Sequence, residues 1–435
     1  MGVIDASRRN CEARDARSSG ENYRDGKGFE TMSQSGQLRI AFLTARNPLD
    51  RRSWSGTHYH LYQALRKHCG TVTVIGPIQP IRTFTGKIIS KALRRFTGRS
   101  YLYNHTLGLS RKMARMAEKQ LKNTTFDLIF SPAASTLLAH LVTDIPIVSL
   151  SDTTFSLMHG YNPEFSNVLE SSKREAEILE LMATRKASLL LFSSSWAAAS
   201  AIHDYGALPE RVHIVPFGAN FEGGGTLHEP YQHQDTCRLL FVGVDWKYKG
   251  GDIAFETLVE LRKLGIKSSL TVVGCMPPSS LSHADMCVIP FLDKNDISQK
   301  NKLAQLFANS DFLIFPTRTD CFGIVACEAC AFGLPVIATA TGGVPEIVRD
   351  GVNGCLLSME AGGSRYAQVI REVYSDPTRY ERMRKAARRE FETRLNWDAW
   401  GRTVARLLNN LVENERRSHS SASSVVSQVD YSQVG

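Results

Sequence analysis

The sequence predicts an α/β protein built of two Rossmann-like, doubly wound parallel-sheet domains that face a central cleft. Short apolar runs bounded by turn residues alternate with helix-length segments over most of the chain. A polar, glycine-rich stretch interrupts this alternation once, near the middle. Strands joined through helices pair in parallel and are covered by those helices on both faces. A chain of 435 residues is long enough for two such domains.

The apolar runs place the strands. In the first half, the predicted strands are residues 38–43, 71–75, 126–130, 146–150, 189–192 and 212–215. In the second half they are residues 238–242, 269–273, 287–290, 312–315 and 335–338. Ligands of such sheets bind beyond the carboxyl ends of the strands. The loops that follow these runs are therefore where we expect functional residues.

Changes in composition predict the boundaries of the domains. Residues 1–36 and 416–435 are polar and without periodicity, so we expect a disordered arm and a disordered tail. The predicted units between them are a first domain, a linker, a second domain and a helix that returns to the first domain, at residues 37–216, 217–236, 237–395 and 396–415.

Charge and cysteine content limit the setting in which the chain works. The net charge of +9 suits a phosphate-bearing ligand, an anionic lipid surface or nucleic acid, without choosing among them. The nine cysteines are odd in number and irregularly spaced, which favours a reducing compartment. Cys327 and Cys330 form a C-x-x-C without a second pair nearby, so packing is favoured over zinc. No apolar run is typical of a signal peptide or a membrane span, and we expect a cytoplasmic protein.

Residues 312–357 carry the strongest functional pattern. A strand is followed by a polar loop, and Phe322, Gly323 and Ile324 then open a helix. The start of a helix presents unpaired N–H groups and the positive end of its dipole, which suits a pyrophosphate. A second glycine turn, at Gly342 and Gly343, follows the next strand and is expected to add further backbone donors.

Two carboxylates flank this predicted helix start. Asp320 lies in the loop, and Glu328 lies eight residues later among apolar residues, where a charge is costly without a partner. One interpretation is a capping aspartate and a solvated glutamate. The other is that Asp320 faces a sugar and Glu328 accepts hydrogen bonds from hydroxyl groups.

This segment resembles the retaining glycosyltransferases of family 4, also called group 1. Their signature is a glutamate, seven residues and a second glutamate, then a strand and a glycine-glycine turn. Here the signature runs from Asp320 to Glu328, and aspartate in the first position shortens the reach by one methylene. The resemblance extends over about residues 38–412. It implies the GT-B fold and transfer of a hexose-type sugar from a nucleotide-diphosphate sugar to a hydroxyl acceptor, as in polysaccharide biosynthesis.

The resemblance also implies roles for residues elsewhere in the chain. Residues 241–258 resemble the family's phosphate-binding loop, in which Gly243 and Lys249 match and Val244 replaces a basic residue. Lys247 is a plausible substitute for that basic residue. In the family, the lysine at the position of Lys249 neutralises the departing diphosphate.

The first domain is expected to supply the other side of the cleft. Residues 51–65 resemble the glycine loop that packs under the donor, with Gly56 and Thr57 as candidates. Asp152 stands where many members carry a histidine that lines the cleft. Asp152 could orient the substrate or act as a base, or it could cap the helix that follows.

No metal or other cofactor is expected, because the chain has no D-x-D pair of aspartates for holding a metal-bound diphosphate. The expected partners are a nucleotide sugar and a hydroxyl acceptor that is a glycan, a lipid-linked molecule or a small molecule. No nucleic-acid partner is expected. The alternatives are a nucleotide-sugar epimerase and a non-catalytic sugar-nucleotide-binding protein on the same fold.

A basic stretch in the first domain leaves a membrane contact open. Its cations alternate with apolar residues Ile88, Ile89, Leu93 and Phe96; they are Lys87, Lys91, Arg94, Arg95, Arg99, Arg111, Lys112, Arg115 and Lys119. One interpretation is an amphipathic helix at an anionic membrane surface. The other is a set of solvated helices packed on the sheet.

Overall fold

A computed structural model describes residues 37–79, 83–221 and 234–426, without the side chains of residues 83–85, 87 and 419–426. The predicted arm at residues 1–36, most of the predicted linker and residues 427–435 lie outside the described part.

The described strands form two six-stranded sheets in which every pairing is parallel, as the sequence predicted. The first sheet contains β1 (Leu38–Leu43), β2 (Gly70–Ile75), β3 (Leu128–Pro132), β4 (Ile147–Ser151), β5 (Leu189–Phe192) and β6 (Val212–Ile214). Its strand order is β2-β1-β3-β4-β5-β6.

The second sheet contains β7 (Cys237–Val242), β8 (Ser268–Val273), β9 (Met286–Ile289), β10 (Phe312–Phe315), β11 (Val336–Thr339) and β12 (Gly354–Leu357). Its order is β12-β11-β10-β7-β8-β9. The sequence missed β12. This strand has four residues and begins at Gly354, where a Cβ would lie 2.2 Å from the Val336 carbonyl of β11. The close approach of two backbones leaves no periodic pattern in the sequence.

Helices cover both sheets. Those of the first half are α1 (Thr57–His68), α2 (Thr83–Thr97), α3 (Leu107–Leu121), α4 (Ser135–Leu138), α5 (Phe155–Met158), α6 (Glu170–Lys186) and α7 (Ser195–His203). Those that follow are α8 (Gly251–Lys263), α9 (Ile297–Ala308), α10 (Ile324–Ala331), α11 (Gly363–Tyr374), α12 (Pro377–Thr393) and α13 (Trp397–Val426). Among the described residues, no helix is long and apolar enough to cross a bilayer.

The last helix is longer than expected and packs on the first half. α13 continues to Val426, so residues 416–426, predicted as part of a disordered tail, are helical. It lies against α1, where Lys67 Nζ contacts Asp398 Oδ1 at 2.7 Å and a Cβ on Gly401 would meet the His68 ring. Polar composition alone did not predict that the helix continues through these residues.

The chain passes between the halves twice, near residue 218 and near residue 396, and these two crossings lie in contact. The Ala219 amide donates to the Leu395 carbonyl at 2.9 Å, and a Cβ on Gly218 would lie 2.4 Å from the Trp397 nitrogen. Phe217 is buried beside them, with ring centroids 5.1 Å from Phe322. This contact joins the two halves directly behind the carboxyl edges of their sheets.

Candidate active site

The loop after β10 forms the centre of the site. β10 ends at Phe315 and α10 begins at Ile324, which confirms the helix start predicted near residues 322–324. Asp320 stabilises the turn because its carboxylate accepts a hydrogen bond from the Phe322 amide at 3.2 Å. Gly323 takes a left-handed conformation with φ 94°, which suits glycine. The amino end of α10 therefore begins at the carboxyl edge of the second sheet.

Lys249 is held against Asp320. Its ammonium donates to Asp320 Oδ2 at 2.7 Å and to the Thr319 carbonyl at 3.1 Å. Burial lowers the pKa of Lys249, but the carboxylate of Asp320 outweighs that effect and the pKa lies above its ordinary value. A Cβ on Gly243 would lie 2.8 Å from Lys249 Cγ, so glycine leaves room for the lysine stem. Lys249 is therefore a fixed, partly buried cation.

Glu328 forms a second ion pair, with Lys294. Glu328 is 2% exposed, which rules out a solvated glutamate, and its carboxylate accepts a hydrogen bond from the Lys294 ammonium. Lys294 comes from the loop between β9 and α9 and also lies over the Phe221 ring, 5.6 Å from its centroid. The partner that a buried carboxylate requires is thus present.

Tyr161 links the two halves at Asp320. Its hydroxyl accepts a hydrogen bond from the Asp320 amide at 2.8 Å and lies 3.0 Å from Thr341 Oγ1 and 3.2 Å from the Asp320 carbonyl. Its ring packs on Trp196, with centroids 5.4 Å apart. Tyr161 follows α5 of the first half, so the backbone of Asp320 is fixed from across the cleft.

A strained turn brings Trp54 to the same place. Trp54 and Ser55 have φ of 50° and 55°, a left-handed conformation that costs free energy for residues with a Cβ. Trp54 Nε1 donates to Asp152 Oδ2 at 3.2 Å, and Asn220 Nδ2 donates to the Ser55 carbonyl at 2.9 Å. A Cβ on Gly56 would lie 3.2 Å from Asn220 Nδ2. Gly56 therefore lets the turn pack against the crossing between the halves.

Asp152 is an acid with a perturbed pKa. Burial, together with the charge of Asp320, raises the pKa of Asp152 to about 7, although the Trp54 hydrogen bond opposes both effects. Asp152 does not cap α5, because the Thr154 hydroxyl accepts the hydrogen bond from the Leu157 amide. The helix-cap interpretation of Asp152 is therefore wrong.

Two adjoining cavities meet at the pair of Lys249 and Asp320. The first, which we name the polar cavity, has a volume of about 320 Å³ and is also lined by Thr57, Asp152 and Asn162. The second, which we name the cationic cavity, has a volume of about 390 Å³. Its charged lining residues are Arg51, Arg52, Lys249, Lys294, Asp320 and Glu328, and its other walls are mainly apolar.

Most of the site residues predicted from the sequence line these cavities. The polar cavity brings together Thr57, Asp152, Lys249, Asp320, Phe322, Gly323 and Ile324. The cationic cavity adds Gly243 and Glu328.

Four predicted residues are not among those that line either cavity. Lys247 is exposed, because the neighbouring Trp246 takes the buried position of that turn. Gly342 and Gly343 pack on the loop of Asp320, and a Cβ on either would lie within 2.2 Å of a backbone oxygen. The Gly343 amide donates to the Asp320 carbonyl at 3.4 Å, so this turn supports the loop. Gly56 lies behind the turn of Trp54.

The sequence analysis missed Lys294, Tyr161, Trp54, Arg51 and Arg52. Lys294 follows the carboxyl end of β9, and the edge rule for parallel sheets could have indicated it. The other four lie in irregular segments of the first half, which have no periodic pattern. Among the described residues, no cluster of three or more His, Cys, Asp and Glu side chains could hold a metal ion.

Comparison with family models identifies the family. The model described as glycosyl transferases group 1 matches residues 228–390. The model described as glycosyltransferase family 4 matches residues 57–222. Together the two matches take in all six strands of the second sheet and five of the first, because β1 lies before residue 57. The chain belongs to the group 1 glycosyltransferases.

Two sequence relatives of this chain share one description. D-inositol 3-phosphate glycosyltransferase 1 of Catenulispora acidiphila is 32% identical over 222 residues, which are 46% of this chain and 52% of the relative. The D-inositol 3-phosphate glycosyltransferase of Corynebacterium glutamicum is 26% identical over 323 residues, which are 68% of this chain and 74% of the relative. The chain spans about half the length of most of the relatives that it matches.

Solved structures of glycosyltransferases share the fold of this chain. Sucrose-phosphate synthase from Thermosynechococcus elongatus has a TM-score of 0.64 at 17% identity, covering 87% of this chain and all of that chain. HepE from Anabaena, in complex with UDP and glucose, has a TM-score of 0.58 at 18% identity, covering 86% of this chain and all of that chain. These likenesses confirm the GT-B fold.

The raised pKa of Asp152 predicts a pH-dependent stability. Between about pH 4 and 7, the folded chain keeps the proton on Asp152 while the unfolded chain releases it, so raising the pH through this range lowers the free energy of unfolding. Asp152→Asn removes this contribution, and its stability relative to the wild type should rise from pH 5 to pH 8. Urea unfolding at both pH values measures the difference. The exposed Asp144→Asn is the control, and parallel pH curves for Asp152→Asn and wild type would contradict the prediction.

Proposed function

We propose that the chain transfers a hexose-type sugar from a nucleotide-diphosphate sugar to a hydroxyl acceptor, keeps the anomeric configuration and needs no metal. The cationic cavity is the observation that carries this proposal. Its apolar walls suit the base of a nucleotide, and its basic side chains suit a diphosphate. A ligand that is apolar at one end and anionic at the other matches both.

Charge at this cavity favours an anion. Four basic side chains line it against the two carboxylates of Asp320 and Glu328, and Arg52 also pairs with Asp50 at 3.1 Å. The amino end of α10 adds the positive end of a helix dipole. A departing diphosphate gains negative charge as the bond to the sugar breaks, and preorganised cations stabilise that charge.

The polar cavity suits the transferred sugar. It adjoins the cationic cavity at Lys249 and Asp320, and its hydroxyl, amide and carboxyl groups can bind sugar hydroxyls. The reacting carbon of the sugar would then lie beside Lys249 and Asp320, where the two cavities meet. Glu328, deeper in the cationic cavity, would accept hydrogen bonds from nucleoside hydroxyls. Asp152 would orient a sugar or acceptor hydroxyl or take up its proton.

The comparisons support the substrate class. The named relatives transfer a sugar to D-inositol 3-phosphate, and the HepE structure contains UDP and glucose. We carry over only the general class, a nucleotide sugar and a hydroxyl acceptor. An epimerase would return an isomer of the donor, and a non-catalytic binding protein would release no diphosphate. Product analysis therefore distinguishes all three.

Lys249→Ala and Glu328→Gln should each lower donor turnover by about a hundredfold, because each removes a preorganised electrostatic contact. The assay is release of nucleoside diphosphate from a panel of nucleotide sugars, with the anomeric form of the product determined by NMR. Lys263→Ala, at the exposed far end of α8, is the control lysine. Near-wild-type rates in both site variants would reject the assignment, and an inverted product would reject retention.

Tyr161→Phe should lower kcat roughly tenfold with little change in the KM for the donor. The variant keeps the ring on Trp196 but loses the hydrogen bonds that fix the Asp320 backbone. Tyr374→Phe is the matched control, since it also removes one phenolic hydroxyl, which donates a hydrogen bond to the Gln234 carbonyl away from the cavities. An equal loss in both variants would show that stability, and not the position of Asp320, is responsible.

Chelation by EDTA should leave the rate of donor turnover unchanged, because Lys249, Lys294 and the amino end of α10 supply the positive charge that a metal would otherwise provide. The rate is measured before and after dialysis against EDTA. Loss of activity that magnesium or manganese restores would disprove metal independence.

We further propose that α2 contacts an anionic membrane surface from the cytoplasmic side. Ile88, Ile89 and Phe96 are 53%, 49% and 85% exposed. A helix packed on the sheet would bury its apolar residues, and these three are not buried. The exposed cations Lys91, Arg94, Arg95 and Arg99 accompany them. Apolar and basic side chains exposed together on one helix are typical of binding at an anionic lipid surface.

The double variant Arg95→Glu and Phe96→Ser should bind phosphatidylglycerol vesicles several-fold more weakly than the wild type, because it loses charge attraction and apolar burial together. Sedimentation with phosphatidylglycerol and with phosphatidylcholine vesicles measures this. Val142→Ser changes a residue that is 78% exposed elsewhere and should bind as the wild type does. Equal binding by all three proteins would contradict the proposal.

A further inference from the structure

Tyr161 also lines a third cavity, which shares none of its described lining residues with the polar cavity. Its volume is about 680 Å³, and it is formed by α2, residues 98–105 and residues 160–167 of the first half together with Tyr248 of the second. We name it the aromatic cavity after its lining rings, which are Tyr101, Tyr103, Tyr161, Phe165 and Tyr248.

Tyr161 connects this cavity to the reaction centre. It lines the aromatic cavity, while its hydroxyl is bonded to the backbone of Asp320. The next residue, Asn162, lines the polar cavity. The two cavities are therefore lined by consecutive residues of the chain. An acceptor has to reach the transferred sugar, and this neighbourhood suits it.

The described residues that line the aromatic cavity carry no net charge. Among its described lining residues, Arg94 and Glu164 carry the formal charges, one of each sign, and both are exposed at the rim. His105 is neutral, because burial lowers the pKa of its ring to about 4. A phosphate would require an excess of basic groups such as the cationic cavity has. The faces of aromatic rings attract the C–H groups of a sugar ring, and hydroxyl and amide groups bind its hydroxyls.

The volume indicates how large the occupant is. The polar cavity, with about 320 Å³, is assigned one sugar ring, and the aromatic cavity has about twice that volume. Resting on the proposed function, we propose that the aromatic cavity is the acceptor site and that it takes a neutral saccharide of about two rings, not a phosphorylated polyol.

Saturation-transfer NMR on the full chain tests this without requiring turnover. The probes are maltotriose and cellotriose as neutral saccharides and inositol 3-phosphate as the phosphorylated polyol, each at millimolar concentration. We expect at least one neutral saccharide to bind the wild type. Asn104→Trp places a large ring at the exposed rim of the cavity and should weaken that binding at least tenfold.

Two further variants keep the test decisive. Asn309→Trp makes the same change at an exposed asparagine before β10, on the opposite edge of the second sheet, and should bind as the wild type does. Tyr248→Ala removes a ring that is 38% exposed and should weaken binding several-fold if Asn104→Trp does not fold.

The inference is overturned if neither neutral saccharide binds, if the cavity variants bind as the wild type does, or if inositol 3-phosphate displaces the saccharide from the same site. Donor hydrolysis by the wild type is measured separately. Hydrolysis without saccharide binding rejects this inference alone, whereas absence of hydrolysis with every nucleotide sugar rejects the proposed function.

Discussion

The ion pair between Lys249 and Asp320 is the interaction on which the rest of the site depends. It joins the loop after β7 to the loop after β10, and the polar and cationic cavities meet at it. Tyr161 fixes the Asp320 backbone by hydrogen bonds. Gly342 packs closely on the same backbone, because a Cβ at this position would collide with the Asp320 carbonyl. These supports act on the main chain, so the carboxylate is in position before a ligand binds. Such preorganisation is what makes an electrostatic contact effective in catalysis.

Both acids of the signature are paired with lysines. Asp320 holds Lys249, and Glu328 holds Lys294, so each buried charge has the partner that burial demands. The shorter side chain of Asp320, compared with the family's glutamate, still reaches its lysine and also accepts the Phe322 amide. The remaining cations of the cationic cavity, Arg51 and Arg52, come from the first half. Val244, which stands where the family carries a basic residue, lines the same cavity.

The two halves contribute different chemistry to one site. The second half brings the ion pairs and the amino end of α10, and the first brings Asp152, Trp54 and Tyr161. The aromatic contact of Phe217 with Phe322 joins the halves behind these groups, beside the paired chain crossings. The cationic and polar cavities share Lys249 and Asp320, and the aromatic cavity is lined by Tyr161, which binds the Asp320 backbone. The three cavities match the nucleotide, the transferred sugar and the acceptor of the proposed reaction.

The sequence by itself determined the two parallel sheets and the helix start at Gly323. It also showed one acid in the loop and a second acid eight residues later in the helix. Each is a local pattern, set by hydrophobic periodicity, by glycine or by the cost of burying a charge. Only the tertiary structure decided that Glu328 pairs with Lys294, that Tyr161 reaches Asp320 and that Lys247 faces outward. These contacts join segments far apart in the chain. Their geometry depends on how irregular loops pack across the cleft, and no local spacing encodes that.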